Sequence, residues 1–143
     1  MGELLAGACV VAWCITLSAF DIRWRRLPNW LTLPGAVIVL SVAVPAGRGM
    51  PAVAGAAALF AVYAAIHLAA PAGMGAGDVK LAIGLGALTG AFGVDVWILA
   101  ALAAPLLTAV WGVALLVLRA ESAVPHGPSM CLASAAAVGS VVL

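Results

Sequence analysis

Two acidic residues stand where an apolar chain has least reason to place them. Asp21 directly follows the apolar run ending in Ala19-Phe20, and Asp78 lies in Gly73-Met74-Gly75-Ala76-Gly77-Asp78-Val79-Lys80-Leu81, at the entrance to another. An ionisable group near a membrane interior costs several kcal/mol, so each needs a reason. Taken alone, Asp21 reads as a boundary residue or as a cap on the next short segment. The alternate glycines at 73, 75 and 77 leave the backbone bare beside Asp78, which lets another chain come close. Two carboxyls brought together in a low dielectric cannot both ionise cheaply, so the pair shares a proton. That is the apparatus of aspartic proteolysis: the ionised acid draws a proton from water while the protonated one polarises the scissile carbonyl.

The elements that must position such a pair are membrane helices. The chain has 143 residues, of which 66% are hydrophobic and 8% charged, against about 25% charged in an average soluble domain. Mean hydropathy is +1.26, which excludes both a water-soluble globule and a disordered chain. The net charge of +1 offers nothing to neutralise phosphates, which argues against nucleic acid as a partner. A bilayer core of ~30 Å needs about 20 apolar residues per helix. Six runs approach that, at about 4–20, 30–46, 51–70, 79–94, 96–118 and 128–143. The expected fold is therefore all-α: a polytopic bundle of about six transmembrane helices, in a single transmembrane domain over 1–143. The acidic start, Met1-Gly2-Glu3, lacks the basic residues of a secretory signal, so the first run is expected to stay as a span.

Sidedness follows from the basic residues. Arg23, Arg25 and Arg26 follow the first run, Lys80 follows the third and Arg119 the fifth, with Arg48 alone on the other side. By the positive-inside rule the first, third and fifth connectors face the cytoplasm and both termini lie outside. The arginines are explained as topology determinants and lipid-headgroup anchors, and Lys80 as able to snorkel or to bias the shared proton. Two spans separate Asp21 from Asp78, so both fall on the cytoplasmic boundary, where packing of the first and fourth helices is expected to join them. The 14 residues from 81 to 94 cover only ~21 Å, so the loop bearing Asp78 is expected to be drawn toward the bilayer surface.

Other chemistries lack their residues. Cys9, Cys14 and Cys131 form no CxxC or CxxH pair and read as small buried apolar residues. No HExxH-type cluster offers a metal site, and no cofactor is implied. His67 reads as a structural histidine bonded to a neighbouring helix, and His126 as a connector residue. No local arrangement pairs either with an activated Ser or Cys. Gly86 and Gly90 form a GxxxG on the fourth span, the mark of tight helix packing.

The segments Asp21-Ile22-Arg23-Trp24-Arg25-Arg26-Leu27-Pro28-Asn29 and Gly75-Ala76-Gly77-Asp78-Val79-Lys80-Leu81, followed by Gly84, Gly86 and Gly90, resemble the prepilin peptidases, also called type IV leader peptidases. Val124-Pro125-His126-Gly127-Pro128 is similar to that family's P-x-G-P turn, with His126 where an aromatic is more usual. The resemblance implies that Asp21 and Asp78 are the catalytic dyad. It also implies that the enzyme cuts the leader from pilin or pseudopilin precursors at the cytoplasmic face of the inner (plasma) membrane. Gly75, Gly77 and Lys80 are the candidate substrate contacts. Longer members carry a cytoplasmic domain with paired CxxC motifs and methylate the new N-terminus; this chain has no CxxC, resembles the short forms of tight-adherence (Flp) pili, and is assigned no methyl transfer.

Three other readings compete. An intramembrane aspartyl protease would carry its carboxyls deep in helices. A proton-coupled transporter would show midplane acids or repeated halves. A non-catalytic subunit of a secretion machine would use both aspartates as caps.

Overall fold

The computed structural model describes residues 1–143 as six helices and no strands. They are α1 (Gly2–Trp24), α2 (Asn29–Ala43), α3 (Gly49–Ala69), α4 (Ala76–Ala91), α5 (Val94–Val117) and α6 (Gly127–Val142). The expected number of helices is observed. Three of them, α1, α3 and α5, are long and apolar enough to cross a membrane. The other three have only 15 or 16 residues, ~24 Å at 1.5 Å per residue.

The helix ends follow from local chemistry. Pro28 sits extended (φ −71°, ψ 138°) before α2, and proline pushes the residue preceding it away from helix, so α1 cannot run into α2. Gly93 takes φ +116°, a conformation open to glycine, and turns the chain sharply between α4 and α5. Pro128 lies in the first turn of α6, where its missing N–H leaves no helical bond unmade. The α4 helix begins at Ala76, three residues before the expected span. Asp78 therefore stands in the first turn of a helix and not in the loop before it.

Packing is inverted relative to a water-soluble protein. Helix α4 is the hub: it packs against α2, α3, α5 and α6, and every residue from Gly84 to Gly90 is buried. Its inner surfaces are small. A Cβ on Gly86 would stand 2.5 Å from the Gly55 carbonyl oxygen, and one on Gly90 2.6 Å from that of Pro51, so α3 and α4 meet backbone to backbone. Large aliphatics point outward instead, including Leu102, Leu106 and Val110 of α5, each more than half exposed. In lipid this arrangement is favourable, because helices associate through close contact and no apolar side chain gains by leaving the solvent.

Helices α1 and α4 do not pack backbone against backbone, contrary to expectation. Each instead meets α2 and α6, and the indole of Trp13 fills the space between them. That ring lies against Gly35 and Gly84, and its Nε1 donates to the Leu31 carbonyl at 2.9 Å. The outward-facing Cys9 also departs from expectation: it is exposed, while Cys14 and Cys131 are buried. Facing lipid costs a small apolar residue nothing, so Cys9 has no need to be buried.

Trp13 thus acts as a spacer. Trp13→Ala is expected to cost about 3–5 kcal/mol through the cavity it opens. Denaturant unfolding in detergent micelles checks this, and a cost below about 1 kcal/mol would show that the ring holds nothing apart.

Candidate active site

The helices alternate in direction, so the end of α1, the starts of α2, α4 and α6, and the connectors at 25–28, 70–75 and 118–126 gather at one end of the bundle. There they enclose a cavity of about 590 Å³, a size suited to a ligand. Asp21 and Asp78 both line it. Residues 57 positions apart in sequence therefore share one chamber. Arg23, Arg25, Arg26, Lys80 and Arg119 lie at this end, and Arg48 lies at the other, stacked 4.7 Å over the Phe92 ring.

Asp21 stands in the last turn of α1 and is 8% exposed. Its Oδ2 accepts the Gly127 N–H at 2.9 Å. A cap on the segment that follows α1 is one sequence reading of this residue; the carboxyl instead engages the start of α6, 106 positions away. Gly127 has no side chain because none fits: a Cβ there would sit 2.5 Å from Asp21 Oδ2. Asp78 is half-buried in the first turn of α4. Burial pushes its carboxyl up to about 7, the negative charge of Asp21 adds to the rise, and the Gly75 N–H opposes it. The starts of α2, α4 and α6 lie at the chamber, where their partial positive charge favours a negative group.

The candidate substrate contacts occupy distinct places. Gly75 is exposed on the cavity wall, with only Asp78 Oδ2 near its missing Cβ, at 3.5 Å. Gly77 also lines the cavity, but its bare face meets Leu27, whose Cβ lies 3.1 Å from where a side chain would begin. Its smallness thus serves packing of the 25–28 link on α4. Lys80 Nζ donates to Asn29 Oδ1 at 2.8 Å and ties α4 to the start of α2. Arg25, at left-handed φ +52°, ends α1, and its guanidinium donates to the Ala123 carbonyl in the last connector.

The histidines differ from their sequence reading. His67 Nδ1 bonds the Met74 carbonyl, in the loop after its own helix and not on a neighbouring one. His126 is a connector residue by position but is anchored on both sides: Nε2 lies 2.8 Å from Tyr63 Oη on α3, and Nδ1 lies 2.6 Å from Thr108 Oγ1 on α5. Burial holds its imidazole below its usual value, in the neutral form. The one hint of this in the chain itself is a histidine set between Pro125 and Gly127-Pro128 amid apolar residues. No group of His, Cys, Asp and Glu is arranged to hold a metal ion.

Isotope-edited infrared titration of aspartate checks the electrostatics. One carboxyl band is expected to ionise near pH 7; it should vanish in Asp78→Asn and move to lower pH in Asp21→Asn, where the neighbouring charge is gone. A wild-type protein with no carboxyl titrating above about pH 5 would contradict this environment.

Comparison with curated proteins and with solved structures returned no match. Comparison with protein families returned the type IV leader peptidase family over residues 8–117, from the second turn of α1 to the end of α5. That stretch holds both aspartates and covers most of the chain, and with its apolar helices it identifies a membrane protein that belongs to the type IV leader peptidase family.

Proposed function

We propose that this chain is a membrane aspartic endopeptidase that removes the leader from type IV pilin-like or Flp-type prepilins, at the cytoplasmic face of the inner membrane. The observation that carries the proposal is the shared chamber: two carboxyls from distant segments line one cavity, at the end of the bundle that bears five of the six basic residues. The positive-inside rule puts that end in the cytoplasm and both termini outside. A prepilin presents an extended leader ahead of an apolar helix, which suits a chamber at the bundle's end with lipid along its sides.

The chemistry follows from the proton that the pair shares. The ionised acid takes a proton from water as the water oxygen attacks the scissile carbonyl carbon. The protonated acid hydrogen-bonds the carbonyl oxygen and gives up its proton as the tetrahedral intermediate forms. Return of a proton to the amide nitrogen lets the C–N bond break. Asp78, with its carboxyl near 7, is suited to hold the proton at neutral pH, and Asp21, held by the Gly127 N–H, to act as base. Gly75 leaves room for the substrate backbone beside Asp78; Gly77 and Lys80 complete that wall. Both carboxyls stand at helix ends, which favours this reading over cleavage within a transmembrane helix.

Co-expression with a candidate prepilin tests the proposal by gel mobility. Leader removal is expected to fall by at least about 100-fold in Asp21→Asn and in Asp78→Asn, the scale of a lost acid or base. If both variants still process the precursor, the assignment fails. With purified enzyme in detergent, the rate is expected to decline as pH rises above about 7, because Asp78 then loses the proton it must donate. A rate that climbs steadily to about pH 9 would reverse that assignment of roles.

A further inference from the structure

The connector between α5 and α6 leads directly into the Gly127 N–H that Asp21 accepts, yet it is held by few bonds. Residues 121–125 are hydrogen-bonded to the rest of the bundle through the Arg25 guanidinium on the Ala123 carbonyl. The next residue, His126, is fastened at both ring nitrogens, to Tyr63 on α3 and to Thr108 on α5, and its ring lies 5.6 Å from that of Tyr63. Gly127 follows it directly, with its N–H on Asp21.

Tyr63 belongs to the part of the molecule that carries Asp78. It is buried on α3, whose Gly55 meets Gly86 and Gly90 of α4 with no side chain between them. Asp21 arrives on α1, which has no direct backbone packing against α4. The donor that holds Asp21 begins α6, which packs on both α4 and α5, and His126 adds a side-chain tie at that helix start to Tyr63 of α3 and Thr108 of α5. A neutral imidazole has one donor and one acceptor nitrogen, and each hydroxyl can supply the complement.

We propose that His126 is a positioning residue for the aspartate pair: by bridging Tyr63 and Thr108 it fixes the Gly127 N–H, and so fixes where Asp21 stands relative to Asp78. This rests on the reading of the two aspartates as the hydrolytic pair. The charged and titratable groups that share the chamber with His126 are Asp21, Arg25, Arg26, Asp78 and Lys80, with Tyr63 behind it on α3.

The test uses the full chain in detergent, with kinetics on a prepilin and an infrared titration of Asp78 without substrate. His126→Phe keeps a ring and loses both bonds, whereas His126→Gln keeps a donor and an acceptor. His126→Phe is expected to lower kcat by about tenfold or more with KM changed by less than about twofold, the signature of misplaced catalytic groups. It should also move the Asp78 titration to lower pH, as the charge of Asp21 recedes. His126→Gln should restore most of both. The double variant Tyr63→Phe with Thr108→Val removes the same bonds while leaving the histidine in place, and should reproduce the effect even if His126→Phe fails to fold. Wild-type kcat and an unmoved Asp78 titration in His126→Phe or in the double variant would overturn the proposal. So would equal losses in the Phe and Gln variants with no change in the titration. Because the titration needs no substrate, its outcome is separate from the peptidase reading, which fails instead if Asp21→Asn still cleaves.

Discussion

Where solvent is as apolar as protein, a bundle is held together by how near its backbones can come, and everything in this molecule depends on that contact at α4. Gly86 and Gly90 lie against Gly55 and the Pro51 carbonyl with no room for a single added carbon. The gain is dispersion and weak polar contact, summed along the helix, and not exclusion from water. A well-seated α4 gives the first-turn Asp78 a fixed place, and the hydroxyl buried deeper in the same helix, Thr89, turns back on the Leu85 carbonyl at 2.8 Å so that nothing polar disturbs the seam.

The second carboxyl reaches the chamber by a different route. Helix α1 is kept off α4 by an indole and is held by α2 and α6, so the meeting of the two acids depends on a third party, the start of α6. A backbone N–H is an economical choice for that task. It brings no charge that would quench the pair, it is fixed in direction by the helix it begins, and it requires a glycine, since any side chain at position 127 would collide with the acid it serves. Basic residues nearby are mostly turned to structural uses: Lys80 to Asn29 and Arg25 to Ala123.

Much of this is legible in the sequence. Apolar run lengths point to six helices, and the parity of crossings puts Asp21 and Asp78 at one end. The GxxxG at Gly86 and Gly90 announces a close approach. What cannot be read is partnership at long range. Periodicity says which residues are apolar but not which helix lies beside which, so contact between α1 and α4 is a natural expectation that the bundle does not meet. Gly77 looks like an opening for a ligand and is also a seat for Leu27, because a bare glycine looks the same in sequence whichever neighbour fills the gap. His126 looks like a connector because its two partners, Tyr63 and Thr108, are 63 and 18 positions away. Cys9 looks buried, but in lipid, unlike water, an apolar residue has no preference for the inside.

The alternation of long and short helices has a mechanical meaning for the membrane. Helices α2, α4 and α6 form a contiguous row only ~24 Å long, set among neighbours that reach 21–24 residues. A bilayer ~30 Å thick cannot meet both lengths at once, and where α2 and α6 face lipid it must pinch, at a cost of fractions of a kcal/mol for each ångström. A bilayer crossed by all six helices would be compressed beside the short ones, and its thickness would then be a quantity the fold can feel.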